Sequence, residues 1–156
     1  MSASVLKYQF GMNARLFELT LAGITDEEAV TQPSGGGNCV NWIVGHIVAS
    51  RESVLSHLGE ESVWPAELVR RYERGSAPIR SAAEAPASLS AMREVFALAQ
   101  ERILRGLDGI SAEALDEAVG DSTRGHKLAF LQFHEAYHVG QLGMLRRFLG
   151  KEGAIR

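Results

Sequence analysis

The feature that most constrains this chain is a helix-length stretch near its C-terminus that carries histidines among its leucines. In the run His134-Glu135-Ala136-Tyr137-His138, the two histidines stand four residues apart. On a helix they lie one above the other on a single face. Leu128, Leu131, Leu142, Leu145 and Phe148 share that side. Two imidazoles one turn apart can grip one metal ion, each offering a neutral nitrogen at about 2.0–2.1 Å from Zn²⁺ or a similar ion. Sites of this kind are built in bundles from side chains on facing helices.

Three further segments carry helical periodicity. The first runs roughly from Val5 to Ala22, with Leu6, Met12, Leu16 and Leu19 at helical spacing and Phe10 and Phe17 beside them. Asp26-Glu27-Glu28 opens a short extra turn before Pro33, and Ser34-Gly35-Gly36-Gly37 reads as a loop. The second helix runs roughly from Cys39 to Leu58, with Asn38 as its expected N-cap and Gly59 as its stop. Its apolar stripe is Trp42, Ile43, Ile47, Val54 and Leu58. From Glu60 to Pro86 the chain holds Pro65, Pro78 and Pro86 and a short helix from Ala66 to Arg74, ended by Gly75. A crossover of this length lets the third helix lie parallel to the second. That third helix runs roughly from Ala87 to Leu107, with Leu89, Met92, Phe96, Ile103 and Leu107 facing the core. A linker with a short turn, Ser111 to Leu115, leads to the fourth helix, roughly His126 to Leu149, which Gly150 ends. Arg146, Arg147 and Lys151 suit the negative end of its dipole. No run alternates with period two, so no sheet is expected. The expectation is one all-α domain over residues 1–156, a four-helix bundle with a long crossover between helices two and three.

Composition narrows the function classes. Hydrophobic residues make up 46% of 156, enough for a core. A net charge of −3 with dispersed arginines points away from nucleic acid. Cys39 is the only cysteine, which rules out an internal disulfide, fits a reducing cytoplasm, and reads as a small buried residue. No signal peptide and no membrane span is visible, so a cytoplasmic protein is expected.

A metal needs a third ligand, and helix geometry selects among His46, His57 and His126. His126 precedes His134 by eight residues, about 12 Å along one helix, too far to share its ion. His46 and His57 are about 16 Å apart along theirs, so only one of them can take part. His46 lies between Ile43 and Ile47 on the inward stripe, whereas His57 sits at the helix end. His46, His134 and His138 are therefore the expected metal ligands. The letters H-E-x-x-H also spell the zinc-protease helix, but the extended pattern needs glycine and histidine where the chain has Gln141 and Met144. The only downstream glutamate is Glu152, beyond Gly150. An upstream third ligand is the wrong order for those proteases. A di-iron centre would need a second Glu-x-x-His, which the chain lacks. Glu135 reads as a surface carboxylate or one that hydrogen-bonds a ligand ring, or else as a base bordering the open position. Gln141, on the ligand face, either bonds a ligand ring or metal-bound water or links helices.

Asn41-Trp42-Ile43-Val44-Gly45-His46, taken with the segment His134 to Gly150 and its H-x-x-x-H-x-G-Q pattern, resembles the DinB-like (damage-inducible, YfiT-type) superfamily. Asn13 on the first helix and the Gly-rich loop before the second are similar as well, so the resemblance covers nearly the whole chain. It implies a four-helix bundle holding one divalent ion, often nickel or zinc, on three histidines, which map onto His46, His134 and His138. It also implies a homodimer and no DNA binding. Some relatives are thiol-dependent transferases or isomerases, and others are described as metal-dependent hydrolases.

The expectation that follows is an enzyme activating a low-molecular-weight thiol for transfer to a small-molecule substrate. The alternatives are a hydrolase using bound hydroxide and a non-enzymatic metal-binding stress-response protein. Three neutral imidazoles leave the ion its full charge and an open position, which lowers the pKa of a bound water or thiol. The catalytic residues are not assigned by the sequence.

Overall fold

The computed structural model describes residues 2–155. Along the chain follow α1 (Ala3–Leu21), α2 (Asp26–Ala29), α3 (Val40–Leu58), α4 (Ala66–Arg71), α5 (Leu89–Gly109), α6 (Ala112–Asp116), the strands β1 (Ala118–Val119) and β2 (Ser122–Thr123), and α7 (Arg124–Phe148). Helices α1, α3, α5 and α7 form an all-α bundle, and residues 59–88 make the long crossover between its second and third members.

Cross-helix contacts give the directions. Asn41 bonds the carbonyl of Ala87, Arg51 that of Phe96, and Leu58 packs beside Gly106, so α3 and α5 run parallel. Asn13 meets the carbonyl of Gln132 and Thr20 meets Arg146, so α1 and α7 are also parallel. Arg51 pairs with Glu135 while Arg124 bonds the carbonyl of His57, so α3 and α7 are antiparallel. Lys7–Asp108 and Glu18–Arg93 set α1 antiparallel to α5. The bundle is up-down-down-up, and α3 faces α7 directly.

Local chemistry fixes the helix ends. Ser88 caps α5 by accepting from the Ala91 amide, and Thr123 caps α7 by accepting from the His126 amide. Thr25 and Glu28 form a reciprocal capping box that starts α2. Gly59 ends α3 in the left-handed conformation, φ 72°. On α5, Leu89, Met92, Phe96, Ala99, Ile103 and Leu107 are buried at helical spacing. Phe96 stacks on Phe17 of α1, ring centroids 3.8 Å apart. Each such buried ring contributes roughly 1.5–3 kcal/mol.

Several sequence expectations change in detail. The cap residue of α3 is Cys39, not Asn38, and it makes no side-chain cap bond. Its buried thiol instead donates to the Ile79 carbonyl. Helix α4 stops at Arg71 rather than Arg74, and α7 starts two residues before His126 because Thr123 supplies its cap. The buried face of α1 is Leu6, Phe10, Asn13, Phe17, Thr20 and Leu21, with Met12 and Leu19 exposed. The stripe thus takes in two polar residues and leaves out two apolar ones. On α7, Phe148 is exposed. One antiparallel pair, Ala118–Thr123 and Val119–Ser122, is present where no sheet is expected. Strands of two residues are too short for alternation to register.

Candidate metal centre

Helix α3 contributes His46 and the facing α7 contributes His134 and His138. Their ring nitrogens gather within 4.8 Å of one another, the single such group of three or more His, Cys, Asp or Glu among the described residues. Nε2 of His134 lies 3.3 Å from Nε2 of His46 and 3.1 Å from Nε2 of His138. Two nitrogens on one tetrahedral ion at about 2.0–2.1 Å each would be about 3.3 Å apart.

The second nitrogen of each ring decides what Nε2 can offer. Nδ1 of His46 lies 2.7 Å from the carbonyl oxygen of Tyr72, which only accepts, so the proton sits on Nδ1. Nδ1 of His138 lies 2.7 Å from Oε1 of Gln141, whose amide nitrogen donates to the Tyr137 hydroxyl. In both rings Nε2 is then a bare lone pair aimed at His134. One proton on His134 Nε2 can satisfy one of them at most. Nδ1 of His134 is buried with no hydrogen-bond partner among the described residues. Three convergent lone pairs without enough protons are a donor set for a cation, and imidazole nitrogens suit borderline divalent metals. The residues fit such an ion.

Burial favours the neutral form of the two rings on α7. It lowers His138 to about 4, against the upward pull of its bond to Gln141. It lowers His134 as well, with His46 adding to the effect. Neutral rings bind a metal without first losing a proton.

The sequence W-x-x-G-H acquires a physical reason. Gly45 sits directly under the Tyr72 ring, and a methyl group there would collide with it. The close approach lets the Tyr72 backbone reach the His46 ring. Tyr72 is fully buried, donates its hydroxyl to Asn41 Oδ1 at 3.0 Å, and is pushed up to about 12 by burial, so it remains a donor. Trp42 stacks on the His46 ring at 4.9 Å and donates Nε1–H to Ser76 Oγ at 2.9 Å. The crossover segment is thus tied to α3 around His46.

Glu135 is neither a surface carboxylate nor bonded to an imidazole. It is buried and makes a bidentate pair with the fully buried Arg51, Nε to Oε2 at 2.7 Å and Nη2 to Oε1 at 3.0 Å. Arg51 also donates to the Phe96 carbonyl and lies 3.5 Å over the Phe96 ring. With both oxygens held by the guanidinium, Glu135 clamps α7 to α3 at the residue next to His134. His57 and His126 do not join the group. His57 is half-buried at the far end of α3, and His126 is exposed. Arg51 and Tyr72 stand in no motif of their own in the sequence. The signal for Arg51 was its place four residues after Ile47, on the inward stripe.

The three histidines border a cleft of about 1020 Å³. Trp42, Ile43, Met144 and Leu145 give it apolar walls, and Asn38, Arg74, Tyr137 and Gln141 give it polar points. The family model for the DinB superfamily matches residues 9–142. The chain belongs to the DinB superfamily. A search of curated proteins found no match. Among solved structures, a conserved protein from Enterococcus faecalis aligns with this DinB protein at a TM-score of 0.76 and 21% identity, over 97% of this chain and 99% of the other. That likeness concerns the fold. DinB membership and the three-histidine group together fit metal binding. Among the described residues, no helix of this DinB chain is long and apolar enough to cross a membrane.

Proposed function

We propose that this protein is a metal-dependent enzyme, cytoplasmic, that activates a low-molecular-weight thiol for transfer to a small electrophile, with zinc or nickel on His46, His134 and His138. The observation that carries the reading is the cleft. Three imidazoles converge, no fourth His, Cys, Asp or Glu joins them among the described residues, and the three histidines border a space large enough for an organic molecule. A structural metal site is closed by four protein ligands, whereas a catalytic one keeps a position open.

When bound, a divalent ion supplies a Lewis acid that lowers the pKa of a thiol at neutral pH. The protein does the rest. The Tyr72 carbonyl and Gln141 amide hold two ligand rings in one tautomer, with lone pairs inward. Trp42 and Leu145 exclude water from one side of the bound molecule. In the transfer itself the thiol gives its proton to solvent, its sulfur forms a bond to an electrophilic carbon, and the leaving group departs with the bonding pair.

The same reading includes a homodimer. Phe130, Phe133, Tyr137 and Met144 make an exposed apolar stripe at helical spacing on α7, and Tyr8 and Met12 are exposed on α1. Light scattering should give twice the chain mass, and Phe133→Glu should give a monomer. Wild type running as a monomer would remove the dimer from the proposal.

The functional test is a matrix of thiols and electrophiles assayed with zinc- or nickel-loaded protein. Turnover should need both thiol and metal and be lost in His46→Ala. Metal-dependent ester or amide cleavage without any thiol would replace this reading by hydrolysis.

A further inference from the structure

We infer that Arg74 and Asn38 form an anion-holding subsite at the rim of the cleft, so that the thiol taken up beside the histidines carries a carboxylate. The inference rests on the thiol reading above and adds the charge of its ligand. Arg74 is the one lysine or arginine bordering the cleft, and no aspartate or glutamate borders it. Five other arginines, Arg51, Arg93, Arg102, Arg105 and Arg124, are committed to carboxylates, and none of the five borders the cleft. Arg74 is exposed and makes no hydrogen bond or ion pair among the described residues, and the half-buried Asn38 side chain makes none either. Both donors are therefore available to a ligand.

The backbone holding Arg74 is fixed on both sides. Two residues before it, Tyr72 is buried with its carbonyl at His46 and its hydroxyl on Asn41. Two residues after it, Ser76 accepts from Trp42. The strap that orients a histidine therefore also presents a guanidinium to the same cleft. A guanidinium offers a planar fork of donors that matches a carboxylate in two parallel hydrogen bonds.

The test uses the full chain loaded with cobalt(II), whose absorption gains a sulfur-to-metal band when a thiolate binds. Wild type and Arg74→Ala are each titrated with 3-mercaptopropionate and with uncharged 2-mercaptoethanol. In wild type, 3-mercaptopropionate should saturate the band at about tenfold lower concentration, as expected for a charge-assisted pair. In Arg74→Ala that preference should shrink to about twofold, and Arg74→Lys should restore part of it, because a point charge keeps the attraction without the fork. The same preference in wild type and Arg74→Ala would overturn the subsite and leave the thiol reading standing. If neither thiol raises the band, the thiol reading fails and the subsite fails with it.

Discussion

The ring of Tyr72 occupies the space that a side chain on Gly45 would need. The residue after Gly45 is His46, and the carbonyl of that same Tyr72 accepts from its Nδ1 at 2.7 Å. Packing at one position therefore sets the tautomer and aim of the ring at the next. Gly45→Ala improves intrinsic helix propensity and should keep α3 helical. It should push Tyr72 away and lower metal affinity by about 10–100-fold, the usual cost of losing a hydrogen bond behind a ligand histidine. Metal titration alongside circular dichroism checks this; unchanged affinity would mean that Tyr72 does not orient His46.

The Arg51–Glu135 pair should act as a buried clamp. Removing one partner leaves a charge with no counterpart, a loss of about 3–5 kcal/mol. Arg51→Met should therefore shift the urea midpoint strongly. The double change Arg51→Met with Glu135→Leu should recover much of the loss, since apolar replacement of both partners removes the stranded charge. If Arg51→Met alone costs no more than the double change, the pair is not the clamp between α3 and α7.

The metal-free protein should lose stability on mild acidification. Burial holds His138 at about 4, below the roughly 6.5 of an unfolded histidine. As pH falls, the unfolded chain takes up the proton first, so the fold loses stability from about pH 6.5 down to about pH 4. Above that window both states are neutral and the contribution is constant. Urea midpoints of wild type relative to His138→Gln should fall across the window, with chelator present throughout. A difference that stays constant from pH 7 to pH 4 would contradict the buried, neutral ring.

The bundle was legible in the sequence because α5 follows the 3.6-residue period with few interruptions, whereas α3 is buried without a break from Val40 to Ala49. All five residues assigned to the core face of α5 are buried. On α1 the period misled, since Asn13 and Thr20 lie on the buried face while Met12 and Leu19 stay out. Asn13 is buried because its amide meets the Gln132 carbonyl across the bundle, a partner 119 residues away. The histidine pair on α7 was visible from spacing alone, and His46 from its neighbours on the inward stripe. Arg51 and Tyr72 were not, because arginine is ordinarily a surface residue and Tyr72 lies in an irregular crossover. Their roles come from partners far along the chain, Glu135 for Arg51 and Asn41 with Gly45 for Tyr72. The same holds for Glu135, whose local sequence suggested a base or a surface group and whose buried partner made it a clamp.

The most direct test of the account is elemental analysis of protein purified without an affinity tag, wild type beside His134→Ala. His134 lies at the meeting point of the other two rings, so the site cannot be completed without it. One divalent ion per wild-type chain and a metal content near zero in His134→Ala, with helicity retained by circular dichroism, is the predicted result. Equal metal content in the two proteins, or none in wild type after incubation with zinc or nickel, would contradict it.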